Sequence, residues 1–572
     1  MNKGIVSIVI SAGLLLQGGA IKAQQSGSFF DDSTSTRFET PGLPATAPGS
    51  GNQAPRLTVQ QFEFIDFDHA AEAGLALEPL FALAEQHRQS RDGEYDVAGL
   101  NELVDLMTAY LRERGFFLAR VIVPEQQIRD ATISLRLIIG RLEQVTPMNN
   151  SHYDDEILVL LFRPQIGEAV QREPLEQTLL RLSDYPGIEI RTALAPGSVP
   201  GTTQMQLDVV EETPFTGSIR FDNHGSKDTG PYRLTLGGRY NNMGGRADQL
   251  AGQLRFSMFP ANAFSGQISY QFPLESLDAG GPDWLWDNSD FTLGYSVSRF
   301  GVGGDLEVLD IEGRTRQFYM RNDRTLQRTR TGRTSACLEL NLKASSAEQN
   351  EAILSDYALT VLQLGGRWSE TDDWLAGGFS QLELSVSQGI GDFWGSADGR
   401  GDEDSGRLGR SGDFAGGTFR VLRLTGERIQ AVGGQYLLLR THIQYSSDLL
   451  TSMEQYSFGG ADTVRGYPQG DRIADSVWAL NVEYYGLSSA PFLTLPIDQV
   501  KLALFWDLAR GELNDARPNE VRKPTAMSVG AYTEFRLARH YPSRLELAVP
   551  IGGQLPSDER LFNIGFSISR HF

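Results

Sequence analysis

The chain has 572 residues, and its 72 Asp and Glu against 51 Lys and Arg give a formal net charge of −21. That acidic surplus argues against nucleic acid as a partner, because a phosphate backbone demands a basic face. Aromatics at 10%, 61 glycines and a mean hydropathy of −0.27 exclude a bundle of membrane helices but suit strands that are apolar on one side only.

The N-terminus reads as a signal peptide over residues 1–23. Lys3 precedes an apolar run, Ile5 to Leu16, too short to span a bilayer, and small residues follow up to Ala20 and Ala23. Cleavage is expected after Ala23, with Ala20 as the second choice. No other apolar run reaches the length of a membrane helix, so the exported chain either stays in the periplasm or crosses the outer membrane as a barrel. Residues 24–56, with Pro41, Pro44, Pro48 and Pro55, read as a linker.

Residues 57–145 carry an α+β pattern. A strand is expected over Leu57–Phe64 and a helix over Val97–Arg114, with Leu103, Leu106, Met107, Tyr110 and Leu111 on its inner face and Gly115 ending it. Strands follow at Phe117–Val123 and Thr132–Ile139. A second small unit occupies 146–214. Its helix starts at Arg172-Glu173-Pro174-Leu175-Glu176 with Leu175, Leu179 and Leu182 facing inward, and Pro196–Thr203 turns into the strand Gln204–Val210.

From residue 215 onward, strand-like alternation recurs to the end, beginning with Phe215, Gly217, Ile219 and Phe221 against Thr216, Ser218, Arg220 and Asp222. Cys337, the single cysteine, lies in one such strand and reads as a small hydrophobe, buried or facing lipid. In Val500–Ala509 a two-residue period separates Val500, Leu502, Leu504, Trp506 and Leu508 from Lys501, Ala503, Phe505, Asp507 and Ala509. An apolar stripe against a stripe with Lys and Asp fits a strand between lipid and a wet lumen. Upstream, Gly459-Gly460-Ala461-Asp462-Thr463-Val464-Arg465-Gly466-Tyr467 is a glycine-flanked loop carrying an arginine that is costly to bury without a carboxylate. Asp507 faces inward by strand period and Arg465 sits on the loop that reaches it, so a lumenal salt bridge is expected, with Phe505 and Tyr467 packed beside it. The last strand alternates Phe562, Ile564, Phe566 and Ile568 with polar residues and ends on Phe572.

Other motifs carry no chemistry. The seven histidines lack metal-ligand spacing, and no Gly-x-Ser-x-Gly elbow or Gly-Lys phosphate loop occurs. Asp398–Asp404 lacks the order of a calcium loop and reads as a solvated extracellular segment, its Arg400-Gly401-Asp402 tripeptide a chance of composition. No catalytic residue, metal or cofactor is expected.

Two segments carry a family resemblance. Val464-Arg465-Gly466-Tyr467 resembles the signature loop of the BAM-type outer-membrane superfamily, and Phe505-x-Asp507 its partner strand motif. The flanking Gln444-Tyr445-Ser446 and Glu454–Gly460 narrow the resemblance to two-partner secretion translocators, the haemolysin-activator and filamentous-haemagglutinin transporter family. One departure is Ala509, where the family usually has Gly. Val121–Gln127 resembles that family's first POTRA domain, and residues 146–214 its second.

The resemblance implies a mainly β protein, with two small α+β POTRA domains in the periplasm and a transmembrane antiparallel β-barrel of about 16 strands over residues 215–572. Spacing alone allows roughly fourteen or eighteen. It implies a lumenal gating loop at Val464, Arg465, Gly466 and Tyr467, wall partners at Phe505 and Asp507, and an assembly signal at Phe572 read by the BAM insertion machinery. Family members often place a pore-plugging helix in the region of Gln25–Glu39. The implied partners are outer-membrane lipid and a secreted exoprotein with an N-terminal secretion domain, moved unfolded to the cell surface. The alternative function is assembly or insertion of other outer-membrane proteins.

Overall fold

A computed structural model describes residues 56–277, 282, 286–487, 497–538 and 540–572. The expected signal peptide and plug segment, and all of the linker but Arg56, lie outside these residues. The chain divides into two units, one ending at Glu212 and one running from Thr213 to Phe572.

The first unit holds two α+β halves. In the first, Thr132–Ile138 is the central strand, parallel to Gln61–Ile65 and antiparallel to Arg120–Ile122. Leu57–Thr58 pairs separately with Glu94–Tyr95. The single strand expected over Leu57–Phe64 is therefore two, because Val59 N bonds Gly93 O while Gln60 N bonds Ala131 O and the ladder changes partner there. The strand expected from Phe117 begins only at Arg120, since Phe117 N and Ala119 N bond back to Gly115 and Phe116 in a turn. The helix spans Val97–Glu113, capped by Asp96, whose carboxylate accepts from Gly99 N at 2.8 Å. Leu103, Val104, Met107 and Leu111 are buried, whereas Leu106 faces out, so the inner face is rotated from the expected one. Helices Asp68–Glu72 and Glu78–Ser90 complete this half without a clear sequence signal.

In the second half Thr202–Glu211 lies between Arg141–Met148, to which it is parallel, and Ile188–Pro196, to which it is antiparallel. Helix Arg172–Ser183 buries Leu175 and Leu182 against the sheet. Glu143 fastens the 196–202 turn: Ser198 Oγ (2.6 Å), Thr202 Oγ1 (2.6 Å) and Ser198 N (2.7 Å) all donate to its carboxylate. Those bonds pull its pKa down to about 2.

The second unit is a closed barrel of sixteen strands. Neighbours in sequence are neighbours in the wall, all antiparallel, from Phe215–Asp222 to Asn563–His571, and these two strands close the ring by pairing Ser567 with Asp222 through His571 with Ser218. The count matches what the family resemblance implied. The two-residue period sorts every wall strand into faces. In Ile497–Glu512, Leu502 and Leu504 are exposed to the outside while Ala503, Phe505, Asp507 and Ala509 are buried inside. Cys337 is buried, with the parity of the inward Glu339 and Asn341. A barrel of this size has a lumen too wide for its wall side chains to fill. Part of that space is taken by residues 446–475, whose Tyr456–Phe458 and Arg472–Ala474 pair as a separate hairpin.

Candidate functional site

The tip of that hairpin carries Val464, Arg465, Gly466 and Tyr467 against the inner wall. Gly459 and Gly460 (φ +112° and +95°) turn the chain, and Thr463 Oγ1 accepts from Gly459 N at 2.8 Å. Gly466 (φ +89°) is needed for a second reason: a Cβ there would come within 3.2 Å of Pro550 Cδ and 3.4 Å of Ala548 Cβ on the wall.

The wall is a set of register rows crossing four strands. Ala479, Ala509 and Ala526 form the first, and all three are buried. Their small side chains leave the hollow that Phe458, Val464 and Tyr467 fill. Ala509, the departure from the family's glycine, is thus a wall residue of this hollow. The next row is Asn481, Asp507 and Ser528; the next Glu483, Phe505, Gly530 and Ala548; the last Tyr485, Ala503, Tyr532 and Glu546.

Arg465 meets the second and third rows. Its Nε donates to Asp507 Oδ2 at 2.7 Å, its Nη2 to Oδ1 at 2.6 Å and its backbone N to Oδ2 at 3.0 Å. Asn481 Nδ2 adds a bond to Asp507 Oδ1 (2.8 Å) and one to Thr463 O (2.5 Å), tying wall to loop twice. The guanidinium lies 3.6 Å from the centroid of the Phe505 ring. Its Nη1 stands 2.8 Å from Glu483 Oε1, an ion pair without hydrogen-bond alignment, and 4.0 Å from Glu546 Oε2. With side chains 2% and 0% exposed, Arg465 and Asp507 form a desolvated pair. Burial works against the arginine's charge, but the bonds to Asp507, with Glu483 and Glu546 nearby, hold its pKa above the ordinary value.

Charge in this patch is shared. Glu483 accepts from Tyr532 Oη (2.7 Å) and Tyr485 Oη (2.9 Å) and lies 3.7 Å from Arg440 Nη1. Arg544 bonds Glu546 at 2.6 Å and lies 3.5 Å from the Tyr532 ring centroid. Asp507, Glu483 and Glu546 therefore face Arg465, Arg440 and Arg544. Tyr467 reaches further along the wall, donating to Gly552 O (2.9 Å) or Gln554 O (3.1 Å), while Met527 N lies 3.4 Å from its hydroxyl.

Gly530 makes the geometry possible. It faces Phe505 across the ladder, and a Cβ on it would lie 2.3 Å from Phe505 Cζ and 2.1 Å from Leu547 O. Gly530→Ala is expected to push Phe505 from beneath Arg465 and to lower barrel stability by about 1–3 kcal/mol. The check is the temperature at which the folded barrel loses its fast-migrating form on a denaturing gel.

The hairpin's stem is held by two further ionic clasps that the sequence reading did not find. Asp475, 0% exposed, takes Arg407 bidentately through Nη1 (2.5 Å) and Nη2 (2.6 Å). It also accepts from Asn514 N (2.7 Å), Leu450 N (3.2 Å) and Gln455 Nε2 (3.2 Å). Glu454, buried on the other arm of the stem, receives Lys343 Nζ (2.6 Å) and Arg423 Nη2 (2.9 Å) from two non-adjacent wall strands. Arg407 belongs to the 390–419 loop, a few residues beyond the Asp398–Asp404 segment expected to be solvated. Its neighbours Asp398 and Arg400 are exposed, and Asp402 caps the short turn Glu403–Ser405. Phe572 lies apart from the site. It exchanges backbone hydrogen bonds with Gly217 (2.7 and 3.0 Å), and its ring covers the space where a Gly217 Cβ would be.

A family model for "Haemolysin secretion/activation protein ShlB/FhaC/HecB" matches residues 201–532, and one for the ShlB-type POTRA domain matches 73–140. The chain is 25% identical over 377 residues to the outer membrane transporter CdiB of Dickeya dadantii, covering 64% of this chain and 62% of that relative. It is 22% identical to the heme/hemopexin transporter protein HuxB of Haemophilus influenzae, covering 82% and 80%. Among solved structures, CdiB from Escherichia coli superposes with a TM-score of 0.69 at 19% identity, covering 93% of each chain.

Proposed function

We propose that this chain, which belongs to the haemolysin secretion/activation protein family, captures a secreted exoprotein in the periplasm and passes it unfolded through its outer-membrane barrel to the cell surface. The observation that carries this reading is a closed sixteen-stranded barrel whose lumenal hairpin is held on the wall by non-covalent clasps. A pore that must open for a polypeptide needs an obstruction that is firmly placed and still releasable. Val464, Arg465, Gly466 and Tyr467 are the gating tip in this reading, and Phe505 and Asp507 the wall that holds them.

The two α+β halves at residues 57–145 and 146–214 act as POTRA domains that offer a sheet edge to the cargo's N-terminal secretion domain. Backbone hydrogen bonds to an extended segment give affinity without requiring folded cargo. The chain performs no catalytic step in this scheme, and folding of the cargo outside the cell draws it through. Phe572 and its strand serve as the signal by which the BAM machinery inserts the barrel.

Deleting residues 57–145 is expected to abolish secretion while leaving the barrel inserted. The measurement is export of the partner exoprotein, with surface-exposed barrel quantified in parallel. Secretion at the wild-type level would sink the capture role. Unchanged secretion combined with loss of other outer-membrane proteins would favour the assembly factor instead.

A further inference from the structure

Three arginines on the outside of the barrel stand without a counter-charge. Along the strand Ile311–Arg328 the buried Thr315 faces the lumen, while exposed Met320 faces out, and Arg314, Arg316 and Phe318 share the parity of Met320. Arg299, on the strand Ser289–Gly301, lies directly opposite Arg314, with Val297 opposite Arg316 and Tyr295 opposite Phe318. Two like charges facing each other across a ladder destabilise it unless something between them is negative. Among the described residues none of the three forms an ion pair, and Arg314 Nε is enclosed with no hydrogen-bond partner. The nearby carboxylates do not serve. Glu312 and Glu348 oppose each other one row beyond, and Asp356 is separated from Arg314 by Ser346.

The depth of the cluster says what kind of anion would meet it. On the adjacent strand the outward Ala336, Leu338, Leu340, Leu342 and Ala344 form an unbroken apolar band opposite Arg324 to Arg316. That band is about 9 residues long, the span of a tilted membrane strand. Arg316 sits at its edge and the Arg299–Arg314 row just outside it, above the rings of Tyr295 and Phe318, with Phe264 opposite Arg299. This edge is at the end of the barrel away from residues 215 and 571, the end that faces the cell exterior when the POTRA domain is periplasmic. Guanidinium groups at headgroup depth over an aromatic belt match phosphate attached to acyl chains.

We propose that Arg299, Arg314 and Arg316 form a docking site for the phosphate groups of a phosphorylated glycolipid in the outer leaflet. The phosphate relieves the Arg299–Arg314 repulsion and satisfies Arg314, while the acyl chains lie on Phe264, Tyr295 and Phe318.

The test titrates the detergent-purified full chain with diphosphoryl lipid A, with dephosphorylated lipid A and with inorganic phosphate, reading bound ligand by native mass spectrometry. Diphosphoryl lipid A should bind, and removing its phosphates should weaken binding roughly a hundredfold. The triple variant Arg299→Gln, Arg314→Gln, Arg316→Gln should show a similar loss, and the triple lysine variant should keep most of the binding. Equal affinity for the two lipids overturns the site even if the glutamine variant does not fold. Displacement of lipid A by inorganic phosphate would make it a site for free anions and overturn the lipid assignment.

Discussion

Arg465→Ala and Asp507→Ala are each expected to abolish export while leaving a folded, surface-exposed barrel, and the double variant should be no worse than either. The pair is buried and bidentate, so deleting Arg465 leaves Asp507 with only the Asn481 amide and a backbone N–H, and deleting Asp507 leaves Arg465 with only the unaligned Glu483 and Glu546, at about 3–5 kcal/mol. Removing both takes away the stranded charge, which makes the losses non-additive. Exchanging the two charges keeps opposite signs across the pair, which by itself would favour partial recovery of activity. The geometry predicts otherwise. An aspartate at position 465 would face Glu483 and Glu546, which now stand 2.8 and 4.0 Å from the arginine. The exchanged variant should therefore be as defective as the single ones. A double-mutant cycle for secretion, with folded barrel measured alongside, decides this, and additive losses from the two alanine variants would mean that the residues act separately.

Asp475→Ala should have an effect of similar size on a different observable. Asp475 gathers two bonds from Arg407, two backbone N–H groups and the Gln455 amide, so its loss leaves Arg407 enclosed with only carbonyl partners. A cost of about 3–5 kcal/mol is expected, felt as a lower unfolding temperature of the barrel and looser packing between the 390–419 loop and the hairpin stem. Protease cleavage within 390–419 on intact cells should rise in parallel. Asp475→Asn keeps the shape and loses the charge, so it should fall between alanine and wild type.

The barrel and the Arg465–Asp507 contact follow from features that repeat or stand out in the chain, whereas the count of sixteen strands comes from the family resemblance and not from spacing. A two-residue period fixes which way Asp507 points, and glycines mark the one loop that holds an arginine near it. The rest of the site was hidden for a physical reason. Glu483, Asn481 and Glu546 sit on strands whose lumenal faces mix polar and small apolar residues, so one more acid carries no signal until register brings the rows together. The alternation Asn481, Glu483, Tyr485 against Trp478, Leu480 and Val482 did mark that face as inward, but not what it meets. Arg407 was obscured by its setting, because a loop rich in Gly and Asp reads as solvated whether or not one side chain turns in. In the first unit the misplaced strand at Leu57–Phe64 reflects a ladder that changes partner between adjacent residues, which no local pattern records.

The wall rows beneath Arg465 bear on how the barrel comes to be built correctly. Side chains alternate with a period of two, so a slip of one residue in the strand Ile497–Glu512 would turn Asp507 and Phe505 into lipid and bring Leu504, Trp506 and Leu508 inward. The hairpin tip would then meet Leu504, Trp506 and Leu508 on that strand, and its guanidinium would lose the bidentate bonds to Asp507. Seating of the tip is thus tied to strand alignment, since the native register is what presents Asn481, Asp507 and Ser528 in one row. A barrel that closed out of step would betray itself by a hairpin that cannot seat.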